Sequence, residues 1–134
     1  MDDIFVAQLM SSGTVSVTPD TPVEGAAQML LDKQIGSLVV VDETNHLEGI
    51  LTSTDFVRIV KESEPKAETT VKRYMTDQVV TVGAQDSTRD AADKMITYNI
   101  RHLPVVDGEE GVIGMLSTTD LTAYLSGVQE PSPA

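Results

Sequence analysis

Cysteine is missing from this chain, which removes disulfides, thiolate metal ligands and cysteine nucleophiles together and is compatible with a reducing compartment. Tryptophan is absent as well, and only two Phe and three Tyr are present, so any core must be built from Val, Ile, Leu, Met and Ala. Basic residues are scarce: 9 Lys and Arg stand against 21 Asp and Glu, a net charge of −12. Nucleic acid and anionic membranes both call for a basic footprint, so neither is an expected partner. No run of about 18 apolar residues occurs, and the opening MDDIFVAQLM is acidic, without a positive segment leading an apolar one. The chain reads as soluble and cytoplasmic. Its acidity suits an ordinary acidic protein or a carboxylate-coated one in a high-salt cytoplasm equally well.

Familiar catalytic signatures are lacking too. There is no Gly-rich phosphate loop ending in Lys-Ser/Thr, no pair of His at helical spacing with an acid, and no Gly-x-Ser-x-Gly. A lone carboxylate beside hydroxyls lacks the partner that would shift its pKa or complete a metal shell. The expectation is a protein that is not an enzyme and has no metal site.

What is present is a repeat. At 134 residues the chain suits one compact domain, and it matches itself at an offset of 65 residues, without a gap, from Val6/Val71 to Val60/Leu125. Of the 55 paired positions 15 are identical, and most are apolar. Asp42/Asp107, Gly49/Gly114 and the Thr54-Asp55/Thr119-Asp120 pairs are the identities that core packing does not explain.

Each half reads β-α-β-β-α. Thr14 to Val17 alternates as a short strand. Thr21-Pro22-Val23-Glu24 offers an N-cap, a first-turn proline and a capping-box acid, so a helix is expected from Pro22, burying Val23, Ala26, Ala27 and Leu30. In the second half Asp86 or Ser87 caps, with Ala91, Ala92 and Met95 inward. The runs Leu38 to Val41 and Leu103 to Val106 end in turn formers and begin hairpins whose second strands are Leu47 to Leu51 and Val112 to Leu116. A closing helix follows in each, with Phe56, Ile59 and Val60, or Leu121, Tyr124 and Leu125, inward. The expected boundaries are 6–61 for the first motif, 62–70 for an exposed linker, 71–127 for the second motif and 128–134 for a frayed tail. Neither half of about 60 residues buries enough surface by itself, so the two sheets are expected to pack face to face with pseudo-two-fold symmetry.

The sharpest signal is Gly49-Ile50-Leu51-Thr52-Ser53-Thr54-Asp55 and its copy Gly114-Met115-Leu116-Ser117-Thr118-Thr119-Asp120. Each is a strand end entering a helix N-terminus, where unpaired N–H groups favour an anion and hydroxyls add donors for phosphate oxygens. The carboxylate would repel a phosphate but suits the paired hydroxyls of a ribose. A nucleotide would use both. The competing reading is that Thr and Asp simply cap the helix.

This combination, with Leu103-Pro104-Val105-Val106-Asp107 ahead of the second copy, resembles paired CBS (cystathionine-β-synthase-type) domains, or Bateman modules, over residues 6–126. The resemblance implies an α/β (α+β) fold of two β-α-β-β-α motifs packed sheet to sheet. It also implies two clefts able to hold AMP, ADP, ATP or S-adenosylmethionine, with or without Mg²⁺. The family's hydroxyl positions fall on Thr52, Thr54, Ser117 and Thr119, and its ribose-binding acid on Asp55 and Asp120. Ile50 and Met115 would flank a nucleobase, unless they are simply core.

In that family, residues just before the Leu-Pro strand reach the phosphate of the ligand held by the other repeat. They are Arg101 and His102 in the second repeat but Gly36 and Ser37 in the first, so the clefts are expected to be unequal, with phosphorylated ligands preferring the one at Asp55. Arg101 would otherwise be a solvated surface charge. The implied function is a sensor that acts on a separate effector protein and forms a homodimer through the Phe56/Val57/Val60 and Leu121/Tyr124/Leu125 helices. The alternative is a structural dimerisation module with empty clefts.

Overall fold

The computed structural model describes residues 4–62 and 68–132. In chain order the elements are α1 (Val6–Leu9), β1 (Ser16–Val17), α2 (Val23–Lys33), β2 (Ser37–Val41), β3 (Leu47–Thr52), α3 (Ser53–Glu62), α4 (Val71–Tyr74), α5 (Thr88–Tyr98), β4 (His102–Asp107), β5 (Gly111–Ser117) and α6 (Thr118–Leu125). This is the mixed α/β order expected, with one addition per repeat, the single turns α1 and α4, and one omission, the strand expected before α5. Four-residue helices carry too little periodicity to be read from sequence.

Those turns decide how the chain divides. One compact unit is Val15–Val79; the other joins the described residues up to Thr14 to those from Val80 onward. Each repeat's opening turn therefore packs in the unit formed mainly by the other repeat. Val71 and Tyr74 of α4 are buried with Val23, Ala26, Leu38, Val40, Leu51 and Ile59. Val6 and Leu9 of α1 are buried with Val82, Ala91, Met95, Leu103, Val105 and Leu116.

Backbone hydrogen bonds secure both turns, because a helical turn leaves its first N–H groups without partners. In the Val15–Val79 unit, Val71 N–H donates to Thr21 O (2.8 Å) and Lys72 N–H to Pro19 O (2.9 Å), while Val23 N–H donates to Thr69 O (2.9 Å). In the other unit, Val6 N–H donates to Asp86 O, Ala7 N–H to Ala84 O and Thr88 N–H to Ile4 O, each at 2.9 Å. The expected linker 62–70 is thus shorter than its sequence suggests. Its centre, 63–67, lies outside the described residues, but Thr69 is buried and Thr70 bridges Pro22.

Immediately after each turn the chain lies against the middle of a strand. Thr76 exchanges two 2.9 Å backbone hydrogen bonds with Ile50, and Ser11 exchanges 2.9 and 3.0 Å bonds with Met115. Here the duplicated glycines find their reason. A Cβ on Gly49 would stand 2.9 Å from Thr76 O and 2.7 Å from Met75 Sδ, and one on Gly114 would stand 2.8 Å from Ser11 O and 2.6 Å from Met10 Sδ. Only a residue without a side chain admits the crossing backbone.

In the Val15–Val79 unit β1 runs parallel to β2, and β2 antiparallel to β3, with a register break between Val40 and Val41. The other unit repeats the hairpin as β4 and β5, with the break between Val105 and Val106. Its counterpart of β1 is reduced to a single parallel bridge, Val82 to Val105. Pro104 stands where the first repeat has Val39 and has no N–H to donate, so the ladder cannot extend.

Several expectations about the helices need correction. Pro22 is the N-cap of α2, which begins at Val23 without a side-chain capping bond; Thr21 Oγ1 instead accepts from Thr18 N–H. Ser87, not Asp86, caps α5, accepting from Asp90 N–H at 3.1 Å. Val60 and Leu125 are not inward but 70% and 69% exposed, because the apolar side of each short helix is already occupied by Ile59 or Leu121. The tail expected to fray is tied back at Ser132, whose N–H donates to Gln8 O (2.8 Å), and at Gln129, whose side chain donates to Leu9 O (3.1 Å). No helix among the described residues is long and apolar enough to cross a membrane.

Gly49→Ala and Gly114→Ala should each destabilise the fold by about 1–3 kcal/mol, since a backbone carbonyl rather than a flexible side-chain end must move. Gly108→Ala, where an added Cβ meets nothing within 4 Å, should stay within roughly 0.5 kcal/mol of wild type. Urea denaturation of the three variants checks the difference.

Candidate functional site

The two copies of the strand-to-helix motif form two local sites, one in each unit. In the Val15–Val79 unit, β3 ends at Thr52 and α3 begins at Ser53. The Thr52 N–H and hydroxyl donate to Asp55 Oδ2 at 2.8 and 3.3 Å. Ser53 N–H donates to Gly36 O (3.1 Å), which sets the approach to β2 against the helix start. Ser37 pairs with Thr52 in the ladder and is buried. Ile50 is buried too, whereas Thr54 is exposed on the first helical turn.

The second copy is built alike. Ser117 N–H and hydroxyl donate to Asp120 Oδ2 at 2.9 and 3.1 Å, and Asp120 N–H donates back to Ser117 Oγ at 3.2 Å. This is a reciprocal capping box with Asp in the acid's place. Thr118 N–H donates to Arg101 O (3.0 Å), and His102 pairs with Ser117 across the ladder. Thr119 is exposed, and Met115 and Asp120 are half-buried.

The helix-capping reading of the aspartates is observed in both repeats. Oδ2 caps the helix, and the second oxygen is not used for that purpose. The two differ in what faces it. Asp55 Oδ1 lies 3.8 Å from Arg58 Nη2, whereas Asp120 Oδ1 accepts no hydrogen bond among the described residues.

The structure groups the expected site residues by unit. Gly36, Ser37, Ile50, Thr52, Thr54 and Asp55 share one; Arg101, His102, Met115, Ser117, Thr119 and Asp120 share the other. Within their own unit, Arg101 and His102 stand at the helix start that carries Asp120. Burial chiefly, and then Arg101, holds the His102 imidazole below the ordinary histidine pKa, while Asp120 pulls it upward.

Arg58 was not singled out by sequence reasoning. Its Nη2 donates to Tyr74 O (3.1 Å) and its guanidinium lies 5.7 Å from the Tyr74 ring centre, so α4 positions it beside Asp55. The signal was available in the repeat: the partner of Arg58 is Ala123, and that of Tyr74 is Leu9.

A cavity of about 560 Å³ at the other end of the first hairpin is lined by Thr18, Pro19, Asp20, Val41, Asp42, Glu43, Thr44 and Glu48. It contains none of the expected site residues, and four carboxylates oppose an anionic ligand there. Asp42 caps that hairpin's turn, its Oδ1 accepting from the N–H groups of Thr44 and His46, each at 2.9 Å.

Comparison with known proteins identifies the family and the fold. The family model described as CBS domain matches residues 6–62 and 71–127. An uncharacterised 17.7 kDa protein of Acidianus ambivalens is 32% identical over 92% of this chain and 74% of its own length. A homoserine O-acetyltransferase of Methanosalsum zhilinae is 32% identical over 93% of this chain, which spans only 25% of that enzyme. Among solved structures, the CBS domain pair of protein MJ0100 in complex with 5'-methylthioadenosine and S-adenosyl-L-methionine superposes with a TM-score of 0.85 at 28% identity, covering 93% of this chain and 98% of that one. The CBS domain structure NE2398 gives 0.80 at 35% identity, covering 87% and 90%.

The lowered pKa of His102 has a consequence for stability. The unfolded chain takes up the proton first, so the contribution of the neutral imidazole is complete above the ordinary value of about 6.5 and is lost as pH falls through the window below it. His102→Gln should flatten the dependence of the thermal midpoint on pH between about 7 and 5. Asp20, Asp42 and Asp107, whose pKa values are lowered mainly by hydrogen bonds, act below about pH 4 and stay separable. An unchanged profile in the variant would mean that His102 titrates alike in folded and unfolded chains.

Proposed function

This chain belongs to the CBS domain family, and from that premise we propose that it is a regulatory module, not an enzyme, which binds an adenosyl compound or adenine nucleotide at the Asp55 and Asp120 motifs. The observation that carries the reading is the duplicated junction in which one carboxylate oxygen caps the helix while the other is not needed by the cap. That leaves an acceptor for a ribose hydroxyl beside the exposed hydroxyls of Thr54 and Thr119. The MJ0100 pair, whose structure is a complex with 5'-methylthioadenosine and S-adenosyl-L-methionine, supports an adenosyl ligand for a chain this similar to it.

AMP, ADP and ATP, with or without Mg²⁺, remain members of the proposed class on the strength of the sequence resemblance. So does the role of Arg101, with His102, as a phosphate donor to a ligand held by Asp55, for which Gly36 and Ser37 offer no equivalent cation in return. Binding would shift the balance between two states of the module and so alter a separate effector protein in the cytoplasm. The enzymatic activities of longer relatives do not come with the quarter of their length that this chain spans.

A second reading, an interaction module that works chiefly by dimerising, is favoured by the exposure of Val57 (69%), Val60 (70%) and Leu125 (69%). Apolar side chains on the closing helices suit a second copy.

Calorimetry and thermal shift with AMP, ADP and ATP, each with and without Mg²⁺, and with S-adenosylmethionine and 5'-methylthioadenosine test the two readings. A ligand at 100 times its Kd should stabilise the protein by about 2.7 kcal/mol. Asp55→Asn and Asp120→Asn, which keep a capping acceptor, should each remove binding at their own repeat. Arg101→Ala should weaken the phosphorylated ligands more than the others. No binding by any of these compounds would leave the dimerising module as the function.

A further inference from the structure

The repeats differ at one point that bears on the acceptor oxygen itself, and its significance rests on the module being a ligand binder. In the first repeat, Asp55 is buried at 8% exposure and its oxygen outside the cap, Oδ1, has the Arg58 guanidinium 3.8 Å away. The Arg58 side chain is half exposed and is held beside Asp55 from α4. It donates to the Tyr74 carbonyl at 3.1 Å and lies over the Tyr74 ring, whose hydroxyl donates to Glu62 Oε1 at 3.3 Å. In the second repeat these positions are Ala123, Leu9 and Gly127, which carry neither cation nor ring. Asp120 is more open than Asp55, and its Oδ1 accepts no hydrogen bond among the described residues.

We propose that Arg58 is a specificity-determining residue: it occupies the free oxygen of Asp55, so an uncharged nucleoside is taken by the second repeat at Asp120, while the first repeat favours a ligand that brings its own anion.

The difference lies in which groups must be parted. A ribose diol approaching Asp55 has to part the carboxylate from a half-exposed guanidinium 3.8 Å away and offers no charge in return, so it forfeits the modest energy of that ion pair. A phosphorylated ligand supplies that partner and compensates Arg58 as it enters. At Asp120 neither step arises. Arg101 and His102 reach that helix start through backbone contacts, Arg101 O accepting from Thr118 N–H and His102 pairing with Ser117, and among the described residues neither side chain forms an ion pair with Asp120.

Calorimetry with two probes, adenosine and AMP, reads each repeat separately. Asp55→Asn leaves only the second repeat to titrate, and Asp120→Asn only the first. Adenosine should bind the Asp55→Asn protein more tightly than the Asp120→Asn protein. Adding Arg58→Gln to the Asp120→Asn background should raise adenosine affinity roughly fivefold, the scale of a partly exposed ion pair, while lowering that for AMP. Arg58→Lys should leave adenosine binding unchanged, and Ala123→Arg in the Asp55→Asn background should weaken it. The opposite signs for the two probes distinguish this from a general loosening of α4, and the Ala123→Arg arm decides the matter if Arg58→Gln fails to fold. Tighter adenosine binding at Asp55 than at Asp120, or no response to Arg58→Gln and Ala123→Arg, would overturn the assignment while leaving the module a ligand binder. Failure of every adenine compound to bind any of these proteins would overturn the ligand-binding reading itself.

Discussion

Two stretches of backbone cross two strands at distances that exclude any side chain, and the rest of each unit is arranged around those crossings. Thr76 and Ser11 each exchange a pair of hydrogen bonds with a strand residue, and the residue beside it, Gly49 or Gly114, must lack a Cβ for the carbonyl to come so near. The methionine before each crossing fills the space left by the missing side chain. The turn before that caps one end of the core, with Val71 and Tyr74 in one unit and Val6 and Leu9 in the other. Because these turns come from the opposite repeat in sequence, neither unit is completed by its own repeat.

The same economy governs the sites. A helix that starts directly at a strand end has N–H groups in need of acceptors and little chain with which to supply them. Asp55 and Asp120 do so from inside the first turn, binding back to Thr52 and Ser117. A carboxylate has two oxygens, and the cap consumes one. The cap thus leaves the other oxygen of each aspartate uncommitted, so under the proposed function one side chain would serve both the helix start and the ligand. Arg58 shows how the duplicated plan diverges: one substitution on the helix, combined with one on the exchanged turn, changes what faces the remaining oxygen.

The repeat, the hairpins, the buried stripes on α2 and α5 and the positions of the hydroxyls and carboxylates were legible because each is a local pattern. Val23, Ala26 and Leu30, or Ala91 and Met95, announce a helical face whatever lies against it. The glycines were legible as anomalies but not as contacts, since their partners lie 26 residues further on in one case and over 100 residues back in the other. The orientation of Val60 and Leu125 was misjudged because apolar character does not say which of two faces the core can accommodate. Truncation of the second repeat's first strand was also latent in one residue, Pro104, whose missing N–H matters only once its neighbour is known.

Sequence by itself determined the number of repeats, the helix-hairpin-helix order within each, the family to which they belong and the chemical type of every residue in the two motifs. These follow from periodicity and identity at a fixed offset, which need no knowledge of neighbours in space. Only the tertiary structure decided that α1 and α4 complete the opposite repeat's core, that one oxygen of each aspartate is committed to a cap, and that Arg58 faces the other oxygen in the first repeat only. Those are contacts between residues distant in sequence, or choices between chemically equivalent atoms. Packing, not pattern, selects among them.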